Sequence, residues 1–221
     1  MSFRGQALTI TRRDLNRERR SGEVLWVTLP FGAVALFLMP IAIGNDIPGL
    51  ADIGVGLFWL VVMLFGVLIA IRQTSAETEA QRDMVTMTGI DPAAVFVGKA
   101  AASFLLILLF ELVLGALTIV LYDVELVGLA FIPVVFVLAG AGLSLLGTIA
   151  AGIVSSGRNA AALVPLLVAP LSVPLLIGAT QSYEALSLGR SSLSWVLMMA
   201  ITVLVLAVAG VLSAQPLQES G

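Results

Sequence analysis

The chain reads as an all-α polytopic membrane protein, and two observations predict that class. Six apolar stretches run from Val24 to Ile43, Ile53 to Ile71, Ala94 to Tyr122, Val127 to Ser155, Ala160 to Thr180 and Ser192 to Ala214. As a helix, each is long enough to cross a hydrocarbon core of about 30 Å. Ten of the eleven basic residues then fall on one side of the six-span pattern. Arg4, Arg12, Arg13, Arg17, Arg19 and Arg20 precede the first span, Arg72, Arg82 and Lys99 surround the second connection, and Arg158 lies in the fourth. Only Arg190 belongs to the opposite side. Positively charged connections stay in the cytoplasm, so both termini are expected there.

Composition agrees. Of 221 residues, 59% are hydrophobic and 11% charged, which leaves almost nothing for a soluble domain. The expected organisation is one membrane domain over 1–221: a basic interfacial helix at 1–23, a six-helix bundle at 24–214, and a cytosolic connection at 72–96. The formal net charge of -3 is a weak guide, because acids contribute little to orientation and Asp46, Asp52, Asp123, Glu125 and Glu184 sit in outer connections. Lipid, not nucleic acid, is the expected surrounding. The first span carries Pro30 and Pro40 and no small-residue cleavage site follows it, so it is expected to stay attached rather than act as a secretory leader.

Absent residue types exclude whole chemistries. Without Cys or His the chain has no thiolate or imidazole for metal or ordinary haem ligation, and no Ser-His or Cys-His nucleophile pair. The phosphate-binding Gly-rich loop is missing too: Lys99 is the only lysine, and Gly98-Lys99 is followed by Ala100. No catalytic, cofactor-binding or metal-binding residue is therefore assigned. Any ATP belongs to a partner.

Taken in order, the N-terminal arm predicts a charged helix starting near Thr11, with Thr11 and Asp14 in a capping-box-like pair and Ser21-Gly22 as its end. Its arginines, with Leu8 and Leu15, suit a helix in the headgroup layer. A disordered basic leader is the plainer alternative. Between spans two and three, Thr74 to Glu77 resembles a capping box, Glu77 to Thr88 predict about three helical turns, and Gly89 suits the left-handed position beyond them. Asp91 and Pro92 read as N-cap and first residue of the third span. Ala80, Met84, Val85, Met87 and Thr88 gather on one side of the short helix, a soft face suited to docking, or equally to resting on lipid or the N-terminal helix.

Inside the spans, Glu111 lies eleven residues before Tyr122. A carboxyl there must face protein or water, by protonation, a hydroxyl partner such as Thr118 or Ser144, or an aqueous cavity. Its role is structural or on a substrate path. Gly140, Ser144, Thr148 and Gly152 recur every fourth residue of span four, a small-residue stripe for close helix packing. Pro165, Pro170 and Pro174 predict a bent or broken fifth span, a hinge or a static kink, followed by an outer connection from Gln181 to Arg190.

The assembled pattern looks like a type-2 ABC exporter permease. The stretch from Glu77 through Asp83, Met84, Met87, Gly89, Asp91 and Pro92 to Gly98-Lys99 resembles the charged, Pro-then-Lys segment of the haem exporter B (CcmB) family of cytochrome c biogenesis. Gly147 to Ala151, then Asn159 to Ala179 with its spaced prolines, resembles a second recurring region of that family, and Arg13-Asp14-Leu15 with Arg20 to Glu23 fits its opening. Family members usually carry Glu-Asp-Gly-x-Leu-Glu where this chain has Glu79-Ala80-Gln81-Arg82-Asp83-Met84.

The resemblance implies a non-catalytic, multi-pass subunit of the bacterial cytoplasmic (inner) membrane. Two copies would work with an ATP-binding subunit (CcmA-like) gripping Glu77, Glu79, Arg82, Asp83, Met84, Met87, Gly89, Asp91 and Pro92. A haem-handling membrane protein (CcmC-like) and a haem chaperone (CcmE-like) would be further partners. Partners would hold the haem and the ATP, and the work would be haem export or release of the loaded chaperone. The alternative is an ABC-2-type exporter permease for a drug, lipid or polysaccharide. A lone ion-coupled carrier would need more intramembrane charges than Glu111, an intramembrane hydrolase would need paired acids, and a passive assembly scaffold fits the same residues.

Overall fold

The computed structural model describes residues 2–22, 24–43, 49–75, 89–125, 131–155 and 164–219, and these form an all-helical bundle. Helix α1 (Phe3–Ser21) leads through a π-helical turn (Val24–Thr28) into α2 (Leu29–Ile43). Then follow α3 (Leu50–Ser75), α4 (Pro92–Tyr122), α5 (Ile132–Ser155), α6 (Val164–Ser187) and α7 (Leu193–Glu219). Four of them contain stretches long and apolar enough to cross a membrane: Ile53–Thr74, Pro92–Tyr122, Ile132–Val154 and Leu193–Ala214. The pair Phe3–Ser21 and Trp26–Ala42, bent by 49°, makes a fifth if taken as one crossing. The chain is thus a multi-pass membrane protein with four helices, or five with the bent pair, long and apolar enough to cross among the described residues, against six crossings expected. Helix α6 occupies the place of the remaining expected stretch, whose first residues lie outside the described ones.

Side-chain contacts fix the running directions. Tyr122, at the end of α4, packs on Gly54 near the start of α3, and its hydroxyl donates to the Leu36 carbonyl of α2. At the opposite end Gly147 of α5 meets Ala70 of α3, and Gly210 of α7 meets Phe96 of α4. The helices α2 to α7 therefore alternate in direction. Helix α1, the connection between α3 and α4, and the end of α7 share one end of the bundle.

Helices α3, α4 and α5 form the centre, each packed against the other two. A ring cluster binds α3 to α5: Phe58 and Phe136 stack at 5.6 Å between centroids, and Trp59 meets Phe136 edge-on at 5.4 Å. Phe110, Leu114, Leu146 and Met199 complete a fully buried interior. Residues such as Ile41, Val120, Leu204 and Leu212 point outward, the inverse of a soluble protein and the normal condition in lipid. Because hydrocarbon supplies no hydrophobic drive between helices, backbone proximity matters more, and a Cβ at Gly147 would land on Ala70.

Several expectations are corrected by the local chemistry. Helix α1 begins at Phe3 rather than near Thr11: the Ser2 hydroxyl caps it by accepting from the Gly5 amide at 3.4 Å, and Thr11 lies mid-helix. The C-terminal stop at Gly22 is as expected, with φ of 65°. Thr74 falls inside α3, and the segment it was expected to cap lies outside the described residues. Helix α6 runs unbroken through Pro170 and Pro174; Pro165 is its second residue, where a missing amide costs nothing. The expected outer connection from Gln181 is helical as far as Ser187, leaving a short turn at Leu188–Ser192 with Gly189 at φ of 66°.

The Tyr122 bond has a clear origin. Pro40 brings no amide to the Leu36 carbonyl four residues before it, and the phenol donates there instead at 2.7 Å, fully buried. Tyr122→Phe is expected to lower stability by about 1–3 kcal/mol, since it leaves a buried carbonyl unpaired. Reversible unfolding in mixed micelles measures this, and the loss should shrink in a Pro40→Ala background, where residue 40 regains a donor.

Candidate functional site

Two polar features interrupt the apolar bundle. The first is a junction at the end shared by α1 and the α3–α4 connection. Helix α1 turns a mixed stripe inward: Ala7, Ile10, Thr11, Asp14 and Glu18 are buried at helical spacing, while Arg4, Arg12, Arg13, Arg17, Arg19 and Arg20 all face out. Leu15 packs on the core, whereas Leu8 is exposed. The stripe meets α4 at Gly98, where an added Cβ would lie 2.8 Å from the Ala7 carbonyl oxygen and 2.8 Å from Ile10 Cβ. That closeness lets the Thr11 hydroxyl reach the Gly98 carbonyl at 3.0 Å while also within 3.0 Å of its own Ala7 carbonyl.

The same helix holds both ends of the connection. The Gln73 side-chain amide, in the last turn of α3, donates to the Asp14 carbonyl at 3.0 Å. The Gln6 side-chain oxygen accepts from the Asp91 amide at 3.2 Å. Glu18 seals the far end by accepting from the Val24 amide at 2.6 Å, which fixes the bend into α2. Lys99 is buried beside Gly98. α1 therefore acts as a brace: the end of α3 and the start of α4 hang from one rigid element.

Of the residues expected to dock a partner, Glu77, Glu79, Arg82, Asp83, Met84 and Met87 lie outside the described residues. Gly89 is exposed and left-handed at φ of 67°, the conformation expected of it, while the helix expected before it lies outside the described residues. Asp91 caps α4, its Oδ1 accepting from the Ala93 amide at 2.9 Å, and Pro92 is the first helical residue.

The second feature is Glu111. It is wholly buried midway along α4, and neither carboxyl oxygen has a hydrogen-bond partner among the described residues. The hydroxyls expected to serve it are used elsewhere: Thr118 donates to the Leu114 carbonyl at 2.8 Å and Ser144 to the Ala141 carbonyl at 2.9 Å. What receives the carboxyl is a missing side chain. A Cβ at Gly140 would lie 3.3 Å from Oε2 and 3.5 Å from Oε1, so the carboxyl occupies the notch that glycine leaves in α5. Ser103, two turns earlier on the same face of α4, is also fully buried with its hydroxyl unpaired.

The remaining sequence candidates are dispersed. Ser144 and Thr148 are buried, Thr148 donating to the Ser144 carbonyl at 2.7 Å, and Gly152 is half-buried. Gly142 against Leu175 and Gly147 against Ala70, both off that four-residue stripe, approach their neighbours more closely than Gly140 does. Pro170 is exposed and Pro174 half-buried on α6, away from the brace. Gln6, Asp14, Glu18 and Gln73 were not singled out from sequence for these contacts. The signal was there in acids four residues apart on an otherwise basic helix, but a search for apolar periodicity passes over a stripe that alternates apolar and acidic groups.

Comparison with known proteins supplies the context for this geometry. A family model described as CcmB protein matches residues 5–220. Heme exporter protein B of Bradyrhizobium diazoefficiens is 26% identical over 184 residues, covering 83% of this chain and 83% of that protein. Heme exporter protein B of Rhodobacter capsulatus is 30% identical over 166 residues, covering 75% of this chain and 76% of that protein.

Gly98→Leu is expected to lift α1 from α4, exposing the arginine-rich segment to limited trypsin digestion at sites the native chain protects. Glu111→Met keeps side-chain length while removing two unpaired buried oxygens. Its melting temperature in detergent is expected to equal or exceed that of the native chain, because a buried polar group left without a partner costs about 1–3 kcal/mol.

Proposed function

The chain belongs to the CcmB family, and on that premise we propose that it is the membrane-embedded permease subunit of a haem exporter. The observation that carries this reading is the match along almost the whole chain, with relatives named for haem export covering three quarters or more of it. In the same reading it is a six-crossing type-2 ABC exporter permease of the bacterial inner membrane, with both termini in the cytoplasm. The outward arginines of α1 support that sidedness, since they lie at the same end as the α3–α4 connection.

Power comes from an ATP-binding partner that grips the connection through Glu77, Glu79, Arg82, Asp83, Met84 and Met87, with Gly89, Asp91 and Pro92 setting its exit. The brace supports this role physically. A push on the connection reaches α3 and α4 together, because α1 hydrogen-bonds to both, and α4 carries Glu111 against Gly140. Two packed arrangements of α4 on α5, biased by the partner's nucleotide state, would then form the working stroke. Two copies of the chain operate side by side, joined by a CcmC-like haem handler and a CcmE-like chaperone. The absence of His and Cys from the sequence favours release of a haem-loaded chaperone over direct carriage of haem.

Co-purification tests the docking step. The Met84→Glu, Met87→Glu double variant is expected to lose its ATP-binding partner, while a complex of native yield would remove the connection as the grip. Glu111→Met is expected to assemble normally yet lower haem delivery to apocytochrome, measured as covalent haem per cell; delivery at the native level would leave the carboxyl without a part in the stroke.

A further inference from the structure

At the end of the bundle marked by Tyr122, a half-open cavity of about 290 Å³ lies among α3, α4, α5 and α6. Its deep wall is the ring cluster of Phe58, Trp59 and Phe136, closed by Val135 and Ala179. Three hydroxyl-bearing residues border it, and each donates to a carbonyl: Ser182 to Gly178 at 2.6 Å, Thr118 to Leu114 at 2.8 Å and Tyr183 to Glu125 at 3.3 Å. The exposed members of the lining are Leu112, Ala116, Glu125 and Phe131. Three are apolar, and Leu112 and Ala116 sit within the crossing part of α4, so the mouth opens sideways onto hydrocarbon rather than onto water.

We propose that this cavity seats one acyl chain of a phospholipid from the surrounding leaflet. The mouth is continuous with the exposed apolar strip of Leu105, Leu109, Leu112 and Val120 along α4. At the aqueous rim stand the exposed acids Asp123 and Glu125, with the Tyr183 hydroxyl donating to the Glu125 carbonyl at 3.3 Å. An amine-bearing headgroup complements that acidic rim while its chain enters below. A porphyrin does not fit the wall: its metal would meet Val55, Phe58, Trp59 and Val135, none of which ligates, and among these four only the Trp59 indole N–H can donate to a carboxylate. The volume also sits at the small end of ligand cavities, about 300–1,000 Å³.

The energetics are those of packing. A chain entering from lipid leaves one apolar surrounding for another, so little hydrophobic drive acts; the gain is dispersion contact along walls that otherwise lack neighbouring atoms. The cavity is therefore a seat for exchangeable lipid that props α4 against α5 and α6, and this holds whether or not the chain exports haem.

Trp59 provides the test, because only Trp26 and Trp195 accompany it in the sequence. The full chain carrying Trp26→Phe and Trp195→Phe is reconstituted in phosphatidylcholine vesicles with or without bromine on the acyl chains. Trp59 is expected to lose most of its emission in the brominated vesicles. Ala116→Phe, an outward position at the mouth, is expected to restore it. Unquenched emission overturns the proposal, as does quenching that survives the Ala116→Phe plug, which would mean a route other than this mouth. Quenching by added haemin but not by brominated lipid would equally overturn it, assigning the cavity to a flat apolar ligand.

Discussion

The crossing of α1 over α4 at Gly98 is the contact on which the rest depends. It is a backbone-to-backbone approach, made possible by one absent side chain, and it sets the register for every polar contact of the brace. With α1 held there, Gln6 comes within reach of the Asp91 amide and the Asp14 carbonyl within reach of Gln73. The α3–α4 connection is thereby suspended from a third helix instead of hanging free between two. Any displacement of either end of the connection is therefore shared with α1.

The interior obeys a second constraint, that polar groups in hydrocarbon must find partners within the protein. Most do so by folding back on their own helix, as Thr118, Ser144, Thr148, Ser182 and Thr202 all show. Tyr122 goes further and serves a carbonyl that Pro40 leaves open on another helix. Against that background Glu111 and Ser103 stand out, buried on one face of α4 with no hydrogen bond among the described residues. Buried groups of this kind weaken a bundle, and Glu111 is accommodated at the α4–α5 contact only because Gly140 leaves room for it.

Much of the candidate site could be read from residues alone. Asp91-Pro92 is a cap because proline at the first helical position and aspartate before it satisfy the same orphan amides from two directions, a purely local rule. Glu111 could be flagged because any carboxyl that deep is costly. Its surroundings could not, because Gly140 and Glu111 are neighbours only once α4 and α5 have paired. Thr11 misled for a related reason. It has the chemistry of a cap, but Ser2 already provides one, and the Thr11 hydroxyl is drawn to Gly98 on a helix 87 residues away.

What the amino-acid order determined by itself was everything with a short range or a one-dimensional pattern: helical class, the apolar stretches, the stop at Gly22, the cap at Asp91, and the segregation of arginines to one end. Apolar runs and charge bias act through the solvent each residue prefers, which needs no knowledge of neighbours. Only the tertiary structure decided which glycines admit another helix, which acids of α1 turn inward, that α6 stays helical across Pro170 and Pro174, and where the aromatic cavity opens. Those outcomes depend on contacts between segments far apart in sequence, and in lipid, where apolar surface is indifferent to its neighbours, steric fit and polar pairing alone select among them.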